Sequence, residues 1–339
     1  MVAVVPAERR TITVIGCHAG GEVGNVVVTG VDPPPGETVA EQMRALRSDD
    51  RLRRFLLREP RGSVATHANL VVPATRPDCD AGFIVMEPTE YPPMSGSNTI
   101  CVATVILETG LAEMREPETT LRLEAPAGVV EARCACRDGR VESVEVTNVP
   151  AFAERLDAPL EVDGLGTLAV DVAFGGMWYA IADAGALGFA LEPHEASEIC
   201  GVGERIRAAA KAQLDERVSI VQIAEPWRGV GAVTRNAVVI APGRLDRSAT
   251  GTGLSARMAV LHARGLLCVG DSMTHASPIG STFDGRVIAE TTVDGRAAIV
   301  PAIRGSAFVT GRFELYVDPS DPFPEGYLLS DTWPGADLQ

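Results

Sequence analysis

The chain is poor in several things that would each narrow its role. Aromatic residues are 5% of its 339 residues, nothing resembles a low-complexity tail, and no run approaches a membrane-spanning length, which is ~20 consecutive apolar residues. Basic residues are outnumbered, with Lys+Arg 30 against Asp+Glu 45 and a formal charge of −15. That deficit argues against nucleic acid or an anionic membrane as a partner. A small anionic substrate stays open, because a local site can be positive inside a negative protein. Met1 to Arg10 lacks the apolar core and cleavage pattern of a secretion signal, so the expected location is the cytoplasm. The seven cysteines are odd in number and scattered, unlike a disulfide framework. Cys134 and Cys136, the one close pair, sit in an alternating stretch (129–146) that reads as a hairpin. A zinc site needs more ligands than stand near them, the five histidines include no His-x-x-x-His, and no metal is predicted.

What is present suits a globular protein of two domains, each with its own core, at 46% apolar content. Runs of strand length occur at 12–15, 25–31, 68–73, 82–88, 120–124 and 141–149. They recur at 168–174, 179–183, 219–224, 237–240, 286–292, 297–303 and 311–317, separated by Gly, Pro and Asp clusters. Helical patterns cover 37–56, 97–109, 195–212 and 253–264, and the second of these is apolar all round, as a central buried helix would be. The pattern predicts an α+β fold of two similar halves, 1–150 and 160–317. The boundary falls in 148–166, where Pro150, Pro159, Asp163, Gly164 and Gly166 interrupt the periodicity. The tail 318–339, with Pro319, Pro322, Pro324 and Pro334, reads as extended and is a candidate to pack back on the first half.

One feature repeats. Met94-Ser95-Gly96-Ser97-Asn98-Thr99-Ile100 returns in altered form as Ala249-Thr250-Gly251-Thr252-Gly253-Leu254-Ser255, at an offset of 250 − 95 = 155. Gly20-Gly21 and Gly175-Gly176 have the same offset, 175 − 20 = 155, which points to an internal duplication. Each hydroxyl-Gly-hydroxyl turn opens a helix, where backbone N–H groups lack intrahelical partners and the dipole is positive. Ser97 and Thr252 are suited to N-cap positions, and Gly96, Gly251 and Gly253 allow close approach of a ligand to the backbone. Two such ends facing one cleft would bind a carboxylate without Lys or Arg. A simpler alternative is a pair of capped helices whose glycines serve only packing.

These residues carry a family resemblance. The first turn resembles the Met-Cys-Gly-His-x-[ST]-Ile motif of the proline racemase family. Asp246-Arg-Ser-Ala-Thr-Gly-Thr-Gly-Leu-Ser-Ala is similar to that family's Asp-Arg-Ser-Pro-Cys-Gly-Thr-Gly-Thr-Ser-Ala. Gly20-Gly21-Glu22, Glu59-Pro60-Arg61-Gly62, Phe174-Gly175-Gly176-x-Trp178-Tyr179-Ala180 and the closing Gly326-Tyr327 to Asp331-Thr332-Trp333 extend the match over nearly the whole chain. The resemblance implies a fold like diaminopimelate epimerase, two pseudo-symmetric domains clamping a small proline-type substrate, with no cofactor. It also implies two cysteines on opposite faces of the substrate α-carbon. Dimers are common in the family, but no interface is legible in the sequence.

Here Ser95 and Thr250 stand where the two cysteines are expected, and Ser97 replaces the family histidine. Asp246, which the family pairs with the substrate ring nitrogen, is kept, and so are the substrate-contacting Gly251 and Thr252; Gly96 and Ser97 are expected beside the substrate carboxylate. Racemisation and epimerisation need a proton relay on both faces, whereas elimination needs one base. Thr250 matches the dehydratase branch of the family, which acts on trans-3-hydroxy-L-proline. The expectation is therefore dehydration to Δ1-pyrroline-2-carboxylate, with Ser95 acting on the α-proton and Thr250 on the leaving side. The alternatives are 4-hydroxyproline 2-epimerase or proline racemase, and a non-catalytic binder of proline-like ligands. Cys17, Cys101 and His18 are substitute candidates for the proton acceptor.

Overall fold

The computed structural model describes residues 11–318 and 320–333. Met1 to Arg10, Pro319, Pro334 and the last residues of the tail, on which sequence expectations rest, lie outside these. The first strands, β1 (Ile12–Ala19) and β2 (Glu22–Thr29), form a hairpin. Its turn is Gly20-Gly21, both at positive φ (58° and 89°), a conformation that costs glycine nothing. Two helices follow, α1 (Val39–Ser48) and α2 (Arg51–Leu57), where the periodicity predicted one. The chain breaks at Asp49-Asp50 because the Asp50 carboxylate accepts from Arg53 and from the Tyr91 hydroxyl at 2.7 Å. Next come β3 (Thr66–Val72), β4 (Ala81–Met86), α3 (Gly96–Glu108), β5 (Glu118–Ala125), β6 (Gly128–Arg137) and β7 (Arg140–Thr147). The hairpin β6–β7 turns Cys134 and Cys136 to its buried face, and all seven cysteines are free.

The second half repeats the plan. It begins with β8 (Phe152–Val162), β9 (Gly166–Phe174), β10 (Trp178–Asp183), α4 (Ala196–Gln213) and β11 (Ile220–Ala224). Then come β12 (Val233–Ile240), the short β13 (Arg244–Leu245), α5 (Gly251–Ala263), β14 (Ser272–Ala276), β15 (Thr282–Val293), β16 (Arg296–Gly305) and β17 (Ala307–Leu315). In the first half β2 runs parallel to β3, β3 antiparallel to β4, β4 parallel to β5, and β5–β6–β7 meander. In the second, β10, β11, β12, β14, β15 and β16 pair in the same order and sense. The helices α3 and α5 start 251 − 96 = 155 residues apart and end 263 − 108 = 155 apart.

The halves exchange their outer strands. β17, which the sequence grouped with the second half, pairs antiparallel with β1, and β8 pairs antiparallel with β9. β8 lies inside 148–166, a stretch whose broken periodicity has a structural cause. Its register against β9 shifts between Ala153 and Arg155 and again between Arg155 and Ala158, which destroys simple alternation. β7 and β16 pair across the halves and join the sheets. The sheet of each half curves around one helix: α3 is buried from Gly96 to Leu107, and α5 at all but Arg257, His262 and Ala263. Helices this apolar on every side are stable only when enclosed. Past β17 the chain lies on the first half, with Tyr327 N–H donating to the Glu59 carbonyl at 2.8 Å and Arg54 paired with Glu325 at 2.8 Å. Among the described residues no helix is long and apolar enough to cross a membrane.

Gly175 closes the β9–β10 turn against the start of α5. A Cβ there would stand 2.2 Å from the Thr252 carbonyl oxygen and 2.4 Å from the Ala256 nitrogen, both backbone atoms. Gly175→Ala is expected to lower unfolding stability by about 1–3 kcal/mol, the usual cost of overpacking, measured by urea denaturation.

Candidate active site

Helices α3 and α5 meet end to end. A Cβ built on Gly96 would lie 3.3 Å from the Gly251 Cα, a tight contact that glycine at both positions relieves. The N-cap residues are Ser95 and Thr250; Ser97 and Thr252, expected in that role, are the second residues of their helices. Neither N-cap hydroxyl caps its own helix, the usual task of Ser and Thr there. The first N–H groups of both helices therefore point, without intrahelical partners, at the same small space. Ser95, Gly96, Ser97, Asp246, Thr250, Gly251 and Thr252 all line one cavity of about 30 Å³. His67, Glu87, Met94, Met177, Tyr179, Ile220 and Ile240 complete most of its wall.

The two hydroxyls are wired differently. Ser95 Oγ accepts a hydrogen bond from Asn98 Nδ2 at 2.9 Å. The Asn98 amide is oriented by Asn69, whose Nδ2 donates to Asn98 Oδ1 at 2.8 Å and to the Asn25 carbonyl at 3.3 Å. Asn98 can therefore only donate to Ser95, and among the described residues no carboxylate or imidazole accepts from Ser95 Oγ. Thr250 instead donates from Oγ1 to Asp246 Oδ2 at 2.8 Å. The other Asp246 oxygen accepts from the Ser248 N–H and hydroxyl, both at 2.8 Å. This cage holds Thr250 at φ 58°, a left-handed conformation that strains a β-branched residue. Burial, with Glu22 nearby, raises the Asp246 carboxyl to about 6. Thr252 is fixed by the Tyr179 hydroxyl at 2.6 Å.

Behind the cavity lies a buried ionic group that sequence reasoning missed. Glu22, from β2, and Arg244, from β13, pair at 2.5 Å with side chains 1% and 4% exposed. Arg244 Nη2 also stands 2.5 Å from His67 Nε2, and Glu22 accepts the Arg247 N–H at 2.7 Å. Burial and the Arg244 charge hold His67 down at about 3, so it is neutral. Its Nδ1 lies 3.2 Å from Asn98 Nδ2, which links this group to Ser95. Glu22 stood in a quoted motif, but nothing in a strand segment such as Thr66–Val72 marks His67 as a cavity residue. The substitute candidates are elsewhere. Cys101 is buried in α3 against Cys17, its thiol pushed well up by burial and by that neighbour. His18 accepts from the Gly21 N–H at 3.3 Å and packs on Phe308, closing the hairpin turn. None of the three lines the cavity. Among the described residues no cluster of His, Cys, Asp or Glu is placed to hold a metal.

Comparison with known proteins gives this geometry a context. The model of the proline racemase family matches residues 14–328. A hydroxyproline epimerase from Agrobacterium vitis, solved with trans-4-hydroxy-L-proline bound, is 38% identical at a TM-score of 0.90, over 97% of this chain and 98% of its own. A probable proline racemase from Agrobacterium radiobacter, with carbonate bound, is 40% identical at a TM-score of 0.88, over 96% and 98%. A PhzF-family phenazine biosynthesis protein from Bacillus anthracis, 13% identical at a TM-score of 0.59 over 91% and 99%, shares the fold alone.

The Glu22–Arg244 pair ties the halves together from within. Removing only the cation in Arg244→Met strands a buried carboxylate and is expected to cost about 3–5 kcal/mol in urea unfolding. Adding Glu22→Gln, which keeps an acceptor for the Arg247 N–H without the charge, should recover most of that loss.

Proposed function

The chain belongs to the proline racemase family, and on that premise we propose that it dehydrates trans-3-hydroxy-L-proline to Δ1-pyrroline-2-carboxylate without a cofactor. The observation that carries this reading is the unequal wiring of the two hydroxyls. Thr250 has a carboxylate to pass a proton to, and Ser95 has only the Asn98 amide, which donates. Two-sided proton exchange needs an acceptor on each face, and an alcohol with no base beside it is a poor one. In trans-3-hydroxy-L-proline the hydroxyl lies opposite the carboxylate, hence on the same ring face as the α-hydrogen. Elimination can therefore proceed from one face.

In this reading the helix N-termini at Gly96, Ser97, Gly251 and Thr252 hold the substrate carboxylate, and Ser95, which accepts from Asn98, donates its hydroxyl proton to it. Asp246 offers its charge to the ring ammonium and receives the α-proton through the Thr250 hydroxyl. The C2–H electron pair forms the C2–C3 double bond as the C3–O bond breaks. The proton returns through Thr250 to the departing oxygen, and water leaves. The enamine then tautomerises to the imine. The assignment reverses the sequence expectation, in which Ser95 took the α-proton.

A second reading, epimerisation of 4-hydroxyproline at C2, is favoured by the trans-4-hydroxy-L-proline in the Agrobacterium vitis relative and by the paired placement of Ser95 and Thr250. Parallel incubations with the two substrates separate them. Purified protein with trans-3-hydroxy-L-proline should yield an imine reducible by a coupled reductase. Inversion of trans-4-hydroxy-L-proline in heavy water with no imine would establish the epimerase. Pyrrole-2-carboxylate binding without either product would leave a non-catalytic binder. Thr250→Val is expected to lower kcat at least about 100-fold, the lower range for losing a proton-transfer group. Because Asp246 must be ionised to accept a proton, kcat/KM should rise as pH increases through about 6 and level off above it. A pH profile of the wild type checks this, and a profile flat from pH 5 to 8 (about one unit below and two above) would refute the Asp246 role.

A further inference from the structure

The duplication allows the two walls of the cavity to be compared position by position. In the first half β2 and β3 pair Gly24 with His67, and in the second β10 and β11 pair Tyr179 with Ile220. Since 179 − 24 = 155, Ile220 is the counterpart of His67. One strand further, Asn69 faces Val85 and Gln222 faces Val238, at offsets of 222 − 69 = 153 and 238 − 85 = 153. Glu87 follows β4 as Ile240 ends β12, at the same offset, 240 − 87 = 153. His67, Glu87, Ile220 and Ile240 all line the cavity. The first-half wall is thus an imidazole and a carboxyl where the second-half wall has two isoleucines, with Met177 and the Tyr179 ring beside them. The helix ends that form the floor stay near-symmetric.

We propose that Glu87, backed by His67, is the subsite that takes the ring hydroxyl of the substrate, while Ile220, Ile240 and Met177 take the unsubstituted ring edge. This rests on the proposed reaction class, and it names the substrate as a hydroxylated rather than a plain cyclic amino acid. Glu87 Oε1 lies 3.7 Å from His67 Nδ1, too far for a hydrogen bond, and its side chain is 16% exposed. Its backbone is fixed, with the N–H donating to the Glu90 carbonyl at 2.9 Å and the carbonyl accepting from Arg53 at 3.2 Å. Burial, with Glu90 beside it, pushes the carboxyl well above the usual carboxylate range, which favours the proton-bearing form that can donate. A proton-bearing carboxyl against an apolar wall distinguishes hydroxyl from hydrogen by a hydrogen bond that only the hydroxylated ligand makes.

Calorimetric binding of trans-3-hydroxy-L-proline, trans-4-hydroxy-L-proline and L-proline tests this without turnover. The wild type should bind at least one hydroxylated ligand about tenfold or more tighter than L-proline, the size of one such bond. Glu87→Leu, which copies the isoleucine across the pseudo-axis, should erase that ratio and keep L-proline affinity within about threefold. Glu87→Gln, still a donor, should keep the preference. A wild type indifferent to the hydroxyl, a ratio that survives Glu87→Leu, or loss of all three ligands by that variant would each overturn the proposal. The reaction itself is judged separately by imine formation in the wild type, so a wild type that discriminates without turnover sinks only the dehydratase.

Discussion

The contact between two helix N-termini is the constraint on which the rest of the structure depends. Packing Gly96 against Gly251, where a Cβ on Gly96 would stand 3.3 Å from the facing Cα, places two positive dipole ends in one space. Nothing about that arrangement is stable in isolation, since like ends repel and their N–H groups are unpaired. The two curved sheets hold it in place by enclosing α3 and α5 on nearly every side. The exchange of outer strands strengthens the hold, because β8 and β17 each connect the halves covalently while pairing within one of them. The cavity between them is thereby lined by two helix starts in a protein of charge −15.

Charge around the cavity is arranged so that Arg244, His67 and Asp246 each have a partner or are neutral. Arg244 is taken up by Glu22, His67 is neutral beside it, and Asp246 is caged by hydroxyls and one N–H. A buried ion pair adds little to stability compared with apolar packing but is costly to break. Its place here, between β2 and β13, fixes the relative position of the halves and supports the Asp246 loop. The left-handed Thr250 follows from the same cage, and that strain keeps its hydroxyl on Asp246 instead of on the helix.

Much of this was legible in the sequence. The 155-residue offset read from two glycine pairs and two hydroxyl turns is the offset between α3 and α5. Most strands coincide with apolar runs, and the cavity floor consists of the residues the repeated motif singled out. The errors have local causes. Ser97 and Thr252 look like caps because Ser and Thr usually cap, yet glycine begins each helix and the hydroxyl before it faces elsewhere. β8 was hidden by its register shifts, and β17 was grouped by sequence proximity although it pairs with β1.

What the sequence determined by itself was a duplicated α+β chain with a hydroxyl-Gly-hydroxyl turn opening a helix in each half, because helix starts, glycine turns and repeats are local and are written in adjacent residues. Only tertiary structure decided which hydroxyl has a proton acceptor. Ser95 meets Asn98 one turn on, held in turn by Asn69 on a separate strand, and Thr250 meets Asp246 only because the intervening loop folds back. Likewise the polar wall of His67 and Glu87, backed by Glu22 and Arg244, is assembled from β2, β3, the end of β4 and β13. Hydrogen bonds depend on tenths of an ångström and on direction, and the spacing of residues along a chain carries neither.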